Sequence, residues 1–145
     1  MREPKIVFNS ETGETIATIQ NGNRFYTGTA KCHPEDMPFC NHLTGEHIAL
    51  TRAYIHYLEA LRDSLVAEYK CLKHYYSCIK MHKNFDEKNY MVYTLLRTIK
   101  NTELELSAVR SEIKLSKDDI KKLVKSKEAL YKNIKAKRNI KEDAE

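Results

Sequence analysis

From Glu46 to Glu145 the chain contains neither glycine nor proline; all four glycines and all three prolines fall in the first 45 residues. Those two residue types punctuate a backbone, so a run this long without them favours very long helices over any fold that needs frequent tight turns. The turn chemistry is concentrated at the other end. Thr27 to Ile55 is the corner between the two regimes, and it gathers Cys32, His33, Cys40, His42 and His47 with two prolines and two glycines.

Ahead of that corner, ETIATIQ and RFYTGTAK flank Asn21-Gly22. Both segments carry β-branched and aromatic residues, and Asn-Gly supplies the positive φ angles of a type I′ turn, so a β-hairpin is expected. Ile16, Thr18 and Gln20 then face one way, and Ala17 and Ile19 the other. Residues 1 to 13 read as a loosely held start, interrupted by Pro4 and Gly13. A lone hairpin is marginal in water and must pack on something. The nearest long apolar face is that of the following helix.

Pro34 and Pro38 bar regular structure from the loop CHPEDMPFCNHL. Thr44 is the expected N-cap of the first helix, with Glu46 favoured near its positive end. Leu50, Tyr54, Tyr57, Leu61, Leu65, Leu72, Tyr75 or Tyr76, and Ile79 form a stripe of helical period. Ile48, Ala49, Ala53, Ile55 and Leu58 widen it in the first half, which is where the hairpin is expected to sit. The helix weakens near Lys83-Asn84-Phe85, and Asp86 can cap a new start.

A seven-residue register then runs through Phe85, Val92, Ile99, Leu106, Ile113, Ile120, Lys127 and Ile134, with Leu95, Val109, Leu123 and Leu130 on the companion row. Lys88, Thr102 and Ser116 break that companion row. The pattern fits a coiled coil, or two antiparallel helices joined near Leu115-Ser116, where Ser116 and Asp119 resemble a capping box. The fold class is therefore α+β and mostly α: an N-terminal β-hairpin packed on a long helix, followed by a C-terminal helical hairpin or coiled coil. Residues 1–60 hold the hairpin, the Cys/His loop and the helix start, and 61–145 form a basic arm packed on the first helix within one structural domain. The arm's partner is that helix or, in a homodimer, a second copy.

Charge narrows the function classes. The net charge is +5. Lys and Arg number 6 against 8 acids over residues 1–67, but 7 against 3 over 68–100 and 10 against 6 over 117–145. A basic arm attracts acidic protein surfaces or nucleic acid and is a poor mimic of a phosphate backbone. No run of eighteen apolar residues marks a membrane span, and the N-terminal MREPKIVFNSE lacks the apolar stretch of a signal peptide. A cytoplasmic protein is expected, with its cysteines reduced or bound to metal.

Thiolate and imidazole are the preferred zinc donors. Cys32 at the strand end, Cys40 and His42 in the loop and His47 in the first helical turn would together make a structural zinc staple, although C-x7-C-x-H-x4-H is no standard finger. Cys71, His74, Cys78 and His82 share one helix face, but a single straight helix cannot close a tetrahedron. No glycine-rich phosphate cradle, P-loop or G-x-S-x-G is present. His33, Glu35 and Asp36 read as a turn, so no catalytic residue is assigned and the protein is expected not to be an enzyme.

The strings YTGTAKCHPED and TGEHIALTRAYI resemble a module of small proteins from phages and prophages of Gram-positive bacteria, in which a hairpin ending A-K-C-H-P-E-D runs into a helix of form G-x-x-I-A-x-x-R-A. The matching residues are Ala30, Lys31, Cys32, His33, Pro34, Glu35, Asp36, Gly45, Ile48, Ala49, Arg52 and Ala53, within about residues 14 to 60. Proteins with similar text include anti-CRISPR inhibitors. The resemblance implies a non-enzymatic accessory protein of the host bacterial cytoplasm that binds and blocks a host antiviral defence factor, such as a type II CRISPR effector nuclease. Arg52, Arg62, Lys70 and Lys73, with Tyr69 and Tyr76, are the expected contact face. The alternatives are a nucleic-acid-binding or regulatory phage protein and a structural coiled-coil protein.

A structural zinc predicts one metal ion per chain by native mass spectrometry, lost together with thermal stability when Cys40→Ser and His42→Ala are combined. A metal-free wild type would return these residues to packing.

Overall fold

A computed structural model describes residues 1–32 and 42–144, with His42 described by its backbone alone. The loop residues 33–41, Cys40 and most of the CHPEDMPFCNHL segment among them, lie outside the described residues. The elements are β1 (Lys5–Asn9), β2 (Glu14–Asn21), β3 (Arg24–Lys31), α1 (His42–Lys80) and α2 (Tyr90–Asp143). The class is α+β and mostly α. The chain divides into two compact units, one of Met1–Tyr57 with Leu115–Glu145, the other of Leu58–Lys114. The second half of α2 thus belongs to the unit that holds the sheet.

The first unit holds an antiparallel meander in the order β1-β2-β3. The stretch expected to be loose contains a strand: Lys5–Asn9 pairs with β2, Lys5 opposite Thr18 and Asn9 opposite Glu14. The turn that closes this pair rests on Asn9. Its side-chain oxygen accepts from Glu11 N at 2.9 Å, its carbonyl accepts from Gly13 N at 2.8 Å, and Gly13 takes φ +69. Neither Asn-Gly nor Asp-Gly announces such a turn, and so its strand goes unseen.

The second hairpin forms as expected but turns one residue later. Asn21 pairs with Arg24, leaving Gly22 and Asn23 as the central residues. Only Gly22 has positive φ, +61, which makes the turn type II′ rather than I′. The faces are those read from the sequence: Thr15, Ala17 and Ile19 are buried, while Ile16 is exposed.

Helix α1 closes on that buried face at unusually short range. Ala17, opposite Gly28 in the register, is fully buried, as are Ala49 and Ala53 of α1. A Cβ built on Gly28 would collide with the Ala49 carbonyl oxygen and the Ala53 amide nitrogen and would lie 2.8 Å from Arg52 Cβ. Backbone thus lies directly on backbone. The carbonyls beside Gly28 complete the joint: Arg52 Nη1 donates to Thr29 O at 2.6 Å, and His56 Nδ1 donates to Thr27 O at 2.6 Å. Ile48 and Ala30 fill out the core, with Leu50, Tyr54, Ile120, Leu123 and Val124 packed around it. Tyr57 meets Tyr26 edge to face, with centroids 5.6 Å apart.

The long helices depart from expectation at their ends and in the middle. α1 begins at His42, so Thr44 lies inside its first turn rather than capping it. α2 begins at Tyr90, not after Asp86; Asn89 is its cap, accepting from Met91 N at 2.9 Å. Phe85 consequently lies in the connection instead of heading the heptad row. The bend expected at Ser116 does not occur, since α2 runs unbroken past it. A capping-box spelling inside a segment without glycine or proline gives the backbone no reason to stop.

Thr102, read as a break in the companion row, is buried, its hydroxyl donating to Thr98 O at 2.9 Å. The row itself drifts. Leu130 is 53% exposed, and Tyr131 is buried in its place, as a straight helix of about 3.6 residues per turn requires when read against a seven-residue repeat.

Gly28→Ala is expected to destabilise the protein by about 3 kcal/mol, since the obstructing atoms are backbone and cannot turn aside. Gly45→Ala makes a useful contrast: its Cβ would lie 3.2 Å from Thr15 Oγ1, and the gain in helix propensity offsets the crowding. Thermal melts should rank wild type near Gly45→Ala, with Gly28→Ala far below. Equal melting temperatures for the two variants would refute the close-approach account.

Candidate interaction site

In the second unit, Leu58, Leu65 and the half-buried Leu61, Tyr69, Leu72, Tyr76 and Ile79 continue the α1 stripe. Tyr76 thus points inward and Tyr75 is exposed. Val92, Thr102, Leu106, Val109 and Ile113 supply the buried stripe of α2. The connection between the helices is a chain of short turns. His82 N donates to Ile79 O at 3.0 Å, Phe85 N to His82 O at 3.1 Å, and Lys88 N to the Asp86 carboxylate at 2.9 Å. Asn89 N closes the last turn on Asp86 O. Phe85 folds back on Tyr76, edge to face with centroids 6.1 Å apart.

This connection leaves a cavity of about 460 Å³. Ile79, Phe85, Val92 and Leu95 form its apolar wall; Cys78, His82, Asn84, Asp86 and Asn89 supply polar groups. Two exposed large residues also line it, Tyr75 and Met91, and Met81, Tyr90 and Tyr93 close by in sequence are exposed as well. Exposed large apolar residues beside a concavity make this the candidate interaction site. The sequence carried a trace of it in MHKNFDEKNYMVY, where tyrosines and methionines accompany residues of a connecting loop.

The residues of the expected contact face fall in both units. In the first unit Arg52 is bound to the Thr29 carbonyl and belongs to the helix–sheet joint. In the second, Arg62 pairs with its neighbour Asp63 at 3.1 Å. Lys73 lies over the ring of Tyr69, its ammonium 5.1 Å from the centroid. Tyr69 also borders a cavity of about 390 Å³ with Glu103, Leu106 and Arg110. Lys70 is exposed and Tyr76 is half-buried against Phe85.

Of the expected zinc donors, Cys32 is 5% exposed and its sulfur is held in a disulfide, a state that excludes a zinc thiolate there unless the bond is reduced. Cys40 and the side chain of His42 lie outside the described residues, and His47 is exposed. In the second group, Cys78 Sγ lies 3.7 Å from His74 Nε2, and Cys71 and Cys78 are free thiols. Among the described residues no three His, Cys, Asp or Glu side chains are grouped to hold a metal ion. None of the described helices is long and apolar enough to cross a membrane.

Most of the described residues that carry the phage resemblance have a structural role, the exposed Lys31 being an exception. Ala30, Ile48, Ala49 and Ala53 are core, Gly45 faces Thr15, and Arg52 holds Thr29. G-x-x-I-A-x-x-R-A is the face of α1 that lies on the sheet. No family model matches the chain, and no curated protein or solved structure matches it either.

Proposed function

We propose that this chain is a non-enzymatic accessory protein of phage type that inhibits a host antiviral defence factor by protein–protein binding in the bacterial cytoplasm, its target a type II CRISPR effector nuclease. The observation that supports the reading is the exposure of Tyr75 and Met91, which line the cavity of the second unit, with Met81, Tyr90 and Tyr93 exposed close to them in sequence. Tyrosine and methionine are enriched at protein interfaces, where they bury large area at little conformational cost. Lys80 and Lys83 flank Met81 in sequence and Lys88 precedes Tyr90, and basic residues beside a binding surface speed encounter with an acidic partner. The phage-type string points to the same class of protein and names no contact residue: Ala30, Gly45, Ile48, Ala49, Arg52 and Ala53 are used in packing helix on sheet.

The test is protection of target DNA from cleavage by a purified type II effector nuclease. Wild type should inhibit, and Tyr90→Ser with Met91→Ser should raise the half-inhibitory concentration at least about 30-fold, the loss expected of a hot-spot residue, with helix content unchanged. Wild type without effect on the nuclease, or a variant as potent as wild type, would overturn the reading.

A further inference from the structure

In the first unit, α2 carries Lys117, Lys121, Lys125, Lys132 and Lys135, separated by four, four, seven and three residues. At about 100° per residue these steps keep all five on one line along the helix. All five are exposed. Glu128 fills the gap between Lys125 and Lys132 and is the single acid on the line, with Asp118 at its edge. Glu128 supports Lys132 four residues on, but Lys117, Lys121 and Lys125 set like charges at four-residue steps, a spacing that opposes the helix.

We infer that this face of α2 binds the phosphate backbone of duplex nucleic acid without reading its sequence. The lysine row extends over about 27 Å, so it can follow a run of phosphates. It has no aromatic residue, which removes the stacking platform that single strands require. It also has no large apolar anchor of the kind a protein interface is built on. A regular, purely electrostatic contact matches a duplex backbone. These lysines belong to the first unit and the exposed Met and Tyr residues to the second, and this inference does not rest on the proposed inhibition.

The test is titration of the full chain into a labelled duplex of arbitrary sequence from 50 to 200 mM salt. Wild type should bind, and log K should fall against log salt with a slope of about −4.5 for five phosphate contacts. Lys121→Gln, Lys125→Gln and Lys132→Gln together should reduce the slope to about −2, and the matching arginine substitutions should retain binding. Lys122→Gln, Lys137→Gln and Lys141→Gln remove the same charge from other faces of the helix and should leave the slope near that of wild type. Equal losses in the two glutamine triples would mean that net charge alone acts, and would overturn the site. So would tighter binding to the single strand, absence of binding at 50 mM salt, or displacement by polyglutamate as effective as by unlabelled duplex, the last pointing to an acidic polypeptide instead.

Discussion

The first unit depends on one close approach, that of α1 to β3 at Gly28. Three successive residues of the strand are used in the same contact. Thr27 and Thr29 offer their carbonyls to His56 and Arg52, and Gly28 between them lets the helix backbone down onto the sheet. β3 is an edge strand, and an edge is an invitation to wrong pairing unless something covers it. Here two carbonyls of the strand, those of Thr27 and Thr29, are taken by side chains of the helix that also supplies the core. The small side chains at Ala17, Ala49 and Ala53 follow from the same constraint, since anything larger would hold helix and sheet apart. Dispersion between closely packed backbones takes the place of large side-chain burial.

That geometry also explains why a specific string can be poor at naming a function. Gly45, Ile48, Ala49, Arg52 and Ala53 are spaced by three, one, three and one, the rhythm of one helix face, and each described partner lies in the sheet. A string fixed by packing reports that a chain can build this joint. What the chain binds is not written in that string, because the residues of it that are described are used in packing.

Much of the fold was legible because periodicity and breaker residues carry it. The inward set of Ala17 and Ile19, the placing of the sheet over Ile48, Ala49 and Ala53, and the two long helices all follow from alternation, from the helical stripe and from the absence of glycine and proline after Gly45. The failures have physical causes as well. β1 is held by a turn that Asn9 builds with its own side chain, a device without a dipeptide signature. Ser116 and Asp119 spell a cap that a continuous helix simply absorbs. Thr102 looked polar yet satisfies its own hydroxyl on the preceding turn. Gly28 was readable in principle, as a lone glycine inside a strand marks close backbone approach. The candidate site was least legible: Arg52 looks like a free cation until its carbonyl partner is seen, and exposure of Tyr90 and Met91 is a property of the folded turn between the helices.

Native-state amide hydrogen exchange on the wild-type chain, followed across a low-denaturant series, tests the joint most directly. If Gly28 binds strand and helix into one cooperative element, the amides of β2, β3 and the α1 segment 46–57 should converge on a single opening free energy as denaturant rises. If the sheet amides open with their own, lower free energy while those of the helix segment stay protected, sheet and helix are only neighbours, and the account of the fold given by the Gly28 contact is wrong.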